Sequence, residues 1–129
     1  MPHTAVIVLY DSIDADGQRF TTAAVAPDIL PCSKGGDVVW QVMNNSIARH
    51  NVRVSGFRKN PKKNHPSTKD PDDVDVDPGK TAPIPMKVDS KGVETLDRFK
   101  YNVYVNGILA LDPELEVQPD PKLRRKQRT

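Results

Sequence analysis

The chain has 129 residues, 12 of them proline, and a formal net charge of +2. This length fits one domain with one core, and the prolines argue against a helical bundle because proline removes a helix donor. The net charge is too small to indicate a nucleic-acid-binding protein. The apolar run near the start, Ala5 to Tyr10, is too short to span a membrane.

Two features of the sequence predict the compartment. The first residues, MPHTAVIVLYDSID, lack a basic segment and a small-residue cleavage site, which a secretory signal peptide would carry. The only cysteine, Cys32, has no partner for an internal disulfide, which favours a reducing environment. We therefore expect a cytoplasmic protein with no membrane insertion.

Short strands dominate the first third of the chain. Ala5 to Tyr10 is continuously apolar, which predicts a strand buried on both faces. The turn at Asp16-Gly17 precedes a second strand at Thr21 to Val25. Ile29 to Cys32 reads as an extended segment, and Pro31 within it predicts an edge strand.

The next strands, VVWQVM and HNVRVSGF, show the period-2 alternation of half-buried strands. In the second strand His50 is in phase with the inward valines, and Gly56 is placed on the same face. YNVYV is the clearest strand of the chain, and Asn106-Gly107 after it is a strong hairpin-turn signal. The predicted core consists of Val38, Trp40, Val42, Val52, Val54, Tyr101, Val103 and Val105.

The remaining segments complete an all-β pattern. VDV and KTAPIPMKV read as two strand pieces around the Pro78-Gly79 turn, and Leu115 and Val117 mark a last strand. We expect about seven short strands in an antiparallel Greek-key β-sandwich, because turns interrupt the chain frequently and no amphipathic helix stands out. This single domain covers residues 1–118.

Two charged segments lie outside the predicted core. Residues 58–73 are polar and interrupted by proline, which predicts a long exposed loop, and residues 119–129 form a basic flexible tail. Both are candidate contact elements for a protein partner, and the tail is also a candidate for nucleic acid. The candidate partner-binding residues are Arg58, Lys59, Lys62, Lys63, Lys122, Arg124, Arg125, Lys126 and Arg128.

The segment APDILPCSKGGDVVWQVMNN, followed by HNVRV, resembles the cupredoxin family. VDVDPGKTAPIPMKV resembles the strand–Pro-Gly–strand piece of that family, and FKYNVYV with LDPELEV resembles its final strands. The resemblance covers roughly residues 20 to 118 and implies a cupredoxin-like fold.

The same resemblance implies where a copper site would lie. His50 matches the first histidine ligand of the family, and Val105 stands near the position of its cysteine ligand. No histidine or methionine follows Val105 in the expected spacing, while Cys32 and Met86 belong to other strands. A blue-copper centre needs a thiolate and two imidazoles. We therefore expect a member of the family that lacks the type 1 copper ligands and carries no cofactor.

His50 has two interpretations. It is either a half-buried histidine at a strand end, hydrogen-bonded to a turn, or a ligand in a changed copper or zinc site with His65 or His3. The alternating carboxylates of Asp73, Asp75 and Asp77 favour an acidic strand face over a calcium loop, since Gly79 falls one place late and no glutamate follows at the twelfth position.

No catalytic residues are predicted. The sequence contains none of the common nucleophile, metalloprotease, dinucleotide or phosphate-loop motifs, and no local histidine–acid set supports Ser33 or Ser46. We expect a non-catalytic interaction or structural module that binds a macromolecular partner through the 58–73 loop, the basic tail or both. The alternatives are a metal-binding protein using His50 and a nucleic-acid accessory protein using the tail.

Overall fold

The computed structural model describes residues 3–33, 35–58, 70–88 and 97–118, which form two β-sheets packed face to face. The four-stranded sheet has the order β2-β1-β4-β7, and the six-stranded sheet has the order β3-β10-β8-β5-β6 with β9 paired to β8. The strands are β1 (His3–Ile13), β2 (Arg19–Ala26), β3 (Ile29–Ser33), β4 (Asp37–Asn45), β5 (His50–Arg58), β6 (Val74–Val76), β7 (Thr81–Lys87), β8 (Asp97–Val105), β9 (Ile108–Leu111) and β10 (Glu114–Gln118).

The predicted β-sandwich is confirmed, with more strands than the seven or so that we expected. Most neighbouring strands are antiparallel, but β1 pairs with β4 in parallel and β3 pairs with β10 in parallel. The strand that sequence reasoning did not name is β9, whose four residues show no alternation. The Asn106-Gly107 turn that leads into it is confirmed, since both residues have the positive φ angles, 53° and 80°, of a tight hairpin turn.

An aromatic cluster forms the centre of the core between the sheets. The Trp40 and Tyr101 rings meet edge to face at 5.4 Å, and Phe57 stacks on Tyr101 at 5.5 Å. The core prediction is wrong only for Val105, which is half-buried because it lies at the end of β8, beside an open cleft. The other seven predicted core residues are all fully buried: Val38, Trp40, Val42, Val52, Val54, Tyr101 and Val103.

A bulge changes the phase of β5. The pairing register between β5 and β8 shifts between Ser55 and Arg58, so that Phe57 points into the core and Gly56 is exposed. The prediction that Gly56 shares a face with Val52 and Val54 is therefore wrong. Gly56 has a φ of +69°, which only glycine adopts without strain.

The two faces of β1 differ, contrary to the prediction that both are buried. Ala5, Ile7 and Leu9 are fully buried against the core. On the other face Val6 and Val8 are half-buried and Tyr10 is 39% exposed. The difference arises because the described residues cover this sheet on one side only.

The predicted loop and tail lie mostly outside the described residues. Of the 58–73 loop, the structure describes Arg58 and residues 70–73, where Pro71 is buried although the whole segment was expected to be exposed. The tail at 119–129 lies outside. Within the described parts of the chain, no helix is long and apolar enough to cross a membrane.

Candidate functional site

His50 lies in a cleft at one end of the sandwich, where β5 begins and β8 ends. The cleft has a volume of about 460 Å³. Among the described residues, its walls offer one imidazole and no thiolate or carboxylate. Three of the lining side chains are large, apolar and about half or more exposed, namely Phe20, Ile108 and Leu109. The full lining is Phe20, Thr21, Thr22, Ala23, His50, Val105, Asn106, Ile108, Leu109 and Ala110.

The hydrogen bonds around His50 define its tautomer. The backbone N–H of Asn51 donates to Asn106 Oδ1 at 2.9 Å, which orients the Asn106 amide. The Asn106 amino group then points to His50 Nδ1 at 2.8 Å, so Nδ1 is the acceptor. The ring proton therefore sits on Nε2, which lies 3.2 Å from Thr21 Oγ1 and donates to it.

This hydrogen-bonded chain joins the two sheets. The Thr21 hydroxyl donates to Asp11 Oδ1 at 3.3 Å, and Asp11 Oδ2 accepts the backbone N–H of Ile47 at 2.9 Å. His50 belongs to the six-stranded sheet, whereas Thr21 and Asp11 belong to the four-stranded sheet. Because His50 is 93% buried and both of its ring nitrogens have partners, the arrangement stabilises this end of the sandwich.

The structure brings only part of the implied copper site together. Val105 lines the same cleft as His50, whereas Cys32 and Met86 are buried in the core and do not line the cleft. Burial raises the pKa of the Cys32 thiol to about 12, which keeps it protonated. His3 begins β1, and His65 lies outside the described residues. Across the described ranges, no group of three or more His, Cys, Asp and Glu side chains could hold a metal ion.

The acidic strand at residues 73–77 has hydrogen-bonding partners of its own. Asn51 donates to the carboxylates of Asp73 and Asp75, and Arg49 forms ion pairs of 3.2 and 3.3 Å with Asp75 and Asp77. The hydrogen bonds from Asn51 and then Arg49 lower the pKa of Asp75. These contacts fit the interpretation of a charged outer strand face rather than a calcium loop.

Arg58 is the only predicted partner-binding residue that the structure describes. Its Nη1 donates to the Gly56 carbonyl at 2.9 Å and to Asn102 Oδ1 at 3.1 Å. These contacts hold the side chain against the bulge of β5. The role of Arg58 in binding stays a prediction, as do the roles of the eight lysine and arginine residues outside the described part of the chain.

The outer face of the six-stranded sheet is charged. Arg98 forms ion pairs with Glu114 and Glu116, and Lys100 lies 3.7 Å from Asp112. The Arg53 guanidinium lies 4.6 Å from the centre of the Tyr104 ring. This alternation of apolar inner and charged outer residues is typical of a sheet that faces water.

The outer face of the four-stranded sheet has a different composition. On β1 the outward residues from Thr4 to Tyr10 are uncharged. The outward residues of β2, β4 and β7 are uncharged as well, except Asp37 and Lys87 at one end of the sheet. Val6, Val8 and Val39 are half-buried although nothing in the described chain covers them. We call this surface the apolar face; it consists of Val6, Val8, Tyr10, Ala24, Ala26, Val39, Gln41, Met43, Pro83 and Pro85.

Sequence reasoning missed the apolar face as a binding surface, although the signal was present. The run AVIVLY is apolar at every position, and VVWQVM is apolar at five of six. A strand that is exposed on one side normally alternates with polar residues. The run AVIVLY was interpreted as a strand buried on both faces within the domain, whereas the face of this strand that carries Val6 and Val8 lies at the surface.

The fold is similar to that of two solved structures, one of them a multi-copper oxidase. No protein-family model and no curated protein match the chain. The structure of Lac15 from a marine microbial metagenome matches 93% of this chain with a TM-score of 0.50 and 16% identity. A multi-copper oxidase from Pseudomonas Thermotolerans matches 94% with a TM-score of 0.51 and 14% identity. The chain covers 34% and 31% of their lengths.

These similarities define the class of fold. The two-sheet arrangement and these two neighbours show a cupredoxin-like β-sandwich. At such low identity the likeness concerns the fold alone, since one fold hosts many functions.

Proposed function

We propose that this chain is a non-catalytic interaction module on a cupredoxin-like scaffold, which binds a macromolecular partner through the apolar face. The single observation that carries the proposal is the composition of that face. Val6, Val8 and Val39 occupy outward positions where a solvated sheet carries charged side chains, as the six-stranded sheet of the same molecule does. Contiguous apolar surfaces of this kind mark interaction sites.

The cleft around His50 supports the non-catalytic part of the proposal. A type 1 copper centre needs a thiolate and two imidazoles, and of these the described residues of the cleft provide only the imidazole of His50. Val105 occupies the position beside it where the resemblance places the thiolate. His50 Nδ1 accepts from Asn106 and Nε2–H donates to Thr21, so the ring acts as a structural link between the sheets. Under this proposal the module works without copper.

The 58–73 loop and the basic tail remain part of the proposal as further contact elements. Arg58 marks the start of the loop on the charged sheet, away from the apolar face. The charges of the loop and the tail would orient a partner, while the apolar face would supply the buried area. A cytoplasmic location stays part of the proposal because the single cysteine, Cys32, is free.

Site-specific photo-crosslinking tests this function directly. A benzophenone amino acid replaces Val8 on the apolar face, or Ile108 at the cleft end as a matched apolar control, and the protein is irradiated in the cells that produce it. We expect adducts of defined mass from position 8 and none from position 108. Equal labelling from both positions, or no adduct from position 8, would refute the apolar face as the binding surface.

A further inference from the structure

The strands at the ends of the two sheets differ in how their outer edges are protected. Proline lies in β3 and in β7, and β6 has only three residues. By contrast β2 has eight residues, no proline and no charged side chain after Arg19. Proteins usually shield a long edge strand, because its unpaired backbone groups can pair with another strand. Among these end strands of the described chain, β2 alone has none of these forms of protection.

The turn between β1 and β2 defines which backbone groups of β2 point outward. The backbone N–H of Asp14 donates to the Gln18 carbonyl at 2.9 Å, so these two residues form a hydrogen-bonded pair. Such pairs alternate along an antiparallel ladder, and every second residue of β2 from Phe20 therefore bonds to β1. The residues between them point their N–H and C=O groups to the free edge, where no hydrogen bond within the described chain reaches them: Thr21, Ala23 and Val25.

The same alternation in β7 shows how this fold protects an edge. The backbone N–H of Asn44 donates to the Lys80 carbonyl at 2.9 Å, so every second residue of β7 counted from position 80 bonds to β4. Pro83 and Pro85 lie between these residues, at the outward positions, where their missing N–H costs no bond. Ala23 has the corresponding outward position in β2 and keeps its donor.

A groove lies beside the free edge of β2. The cleft of about 460 Å³ adjoins the strand at Phe20 to Ala23, and a second crevice of about 500 Å³ adjoins it at Val25. The opposite wall of the two runs from Ile108 to Glu114. A strand paired with Thr21 to Val25 would be about 17 Å long. Its inward side chains would therefore lie in both the cleft and the crevice.

The two parts of the groove favour different side chains in the added strand. The described walls of the cleft contain no acidic, lysine or arginine side chain, which favours apolar side chains there. The second crevice is lined by three carboxylates and one guanidinium, a net charge of −2. Arg98 pairs with Glu114. Lys100 pairs with Asp112, which leaves Asp28 without a cationic partner among the described residues. A basic side chain would complement Asp28.

We propose that the free edge of β2 accepts an extended peptide of a partner protein, which becomes a fifth strand of the four-stranded sheet. The row of backbone donors and acceptors determines the class of ligand, because its match is another backbone. Apolar side chains at alternate positions of the peptide fill the cleft, and a basic side chain at one end meets Asp28. This site is separate from the apolar face and goes beyond the proposed function.

An NMR titration of the ¹⁵N-labelled full chain tests strand addition. The probe is a short synthetic peptide that alternates valine with threonine and ends in arginine. A second version begins with arginine, so that both directions of the added strand are covered. We expect saturable binding of one version, with amide exchange slowed by about tenfold or more at Thr21, Ala23 and Val25. The amides of Thr22 and Ala24 already bond to β1 and should change little.

Matched controls separate backbone pairing from unspecific contact. Ala23→Pro gives β2 the protection that Pro83 gives β7 and should abolish binding, while the bonds to β1 remain because the Ala23 N–H does not contribute to them. Circular dichroism checks that this variant is folded. Asp28→Asn should weaken binding of the peptide about threefold, as expected for an exposed ion pair, whereas Asp37→Asn at the far end of the sheet should leave it unchanged.

N-methylated peptides give a control on the parent chain that does not depend on the folding of a variant. One peptide carries methyl groups on one set of alternate backbone nitrogens, and a second peptide carries them on the other set. Only alternate N–H groups of an added strand face β2. One peptide should therefore lose binding and the other should keep it.

The outcomes that overturn strand addition are distinct from failure of the apolar face. No saturable binding of either peptide overturns it, as does binding that survives both Ala23→Pro and each N-methylated set. Slow exchange of the Ala23 amide in the chain alone overturns it too, since the edge would already be paired. The apolar face is tested at Val8 on another surface. A benzophenone at position 108 would fill the cleft in place of the peptide, so no adduct is expected there under either proposal.

Discussion

The hydrogen bond between Trp40 and Tyr101 gives a prediction whose size follows from the structure. Trp40 Nε1 donates to Tyr101 Oη at 3.0 Å, and both side chains are fully buried. Tyr101→Phe retains the ring that packs edge to face on Trp40 but removes the acceptor. The indole N–H has no other hydrogen bond among the described residues. A buried donor without an acceptor costs about 1–3 kcal/mol, so the free energy of unfolding should fall by that amount.

The assay uses the single tryptophan of the chain, whose fluorescence reports unfolding in urea. Tyr104→Phe is the matched control, because Tyr104 Oη accepts a 3.2 Å hydrogen bond from Asn102 in a less buried position. This control should cost less than about 0.5 kcal/mol. If Tyr101→Phe unfolds at the same urea concentration as Tyr104→Phe, the buried hydrogen bond does not contribute as the structure implies.

Four further predictions concern other parts of the fold. Trp40→Ala should cost about 3–5 kcal/mol, since it empties the centre of the core; its urea unfolding is followed by circular dichroism because the variant lacks the tryptophan, and unfolding like that of the parent chain would show that the core is wrong. Cys32 should resist a neutral-pH thiol reagent until the chain unfolds. Because burial raises the pKa of the Cys32 thiol from 9.0 to about 12, the contribution of this thiol to stability is full below pH 9 and is lost as the pH rises toward 12. Rapid labelling of the folded chain, or stability that is flat over that pH range, would contradict this. Gly56→Ala should destabilise the protein by about 2 kcal/mol, because φ is +69° and the new methyl group would lie 2.6 Å from Asn102 Nδ2; a thermal melt unchanged from the parent would argue against the bulge. Long-range ¹H–¹⁵N spectra should show the His50 proton on Nε2, whereas a proton on Nδ1 alone would refute the hydrogen-bond assignment with Asn106.

Local rules predicted much of the fold. The period-2 pattern around Trp40 and Tyr101 identified the inward faces because each strand packs one side against the core. The Asn106-Gly107 turn was predicted because its geometry demands positive φ angles at both residues. These features depend on neighbours in sequence, which is why the sequence contains them.

The features that escaped prediction depend on distant residues. His50 was expected at a strand end with a hydrogen bond to a turn, and Asn106 in the Asn106-Gly107 turn provides that bond; the sequence did not identify Thr21 and Asn106 as the partners because they are 29 and 56 residues away. The bulge at Gly56 shifts the strand phase through pairing with β8, which no local pattern records. Predicting the apolar face would have required knowing that β1 and β4 lie side by side, because the sequence of each strand alone is typical of an ordinary buried strand.

The central claim is that this cupredoxin-like module works through its surface and not through a metal. Elemental analysis of the purified, untagged protein for copper, zinc and calcium tests it most directly, with the His50→Ala variant measured in the same run. The account predicts far less than one metal ion per chain in both samples. One copper or zinc ion per chain that disappears in His50→Ala would contradict it and would make His50 a ligand.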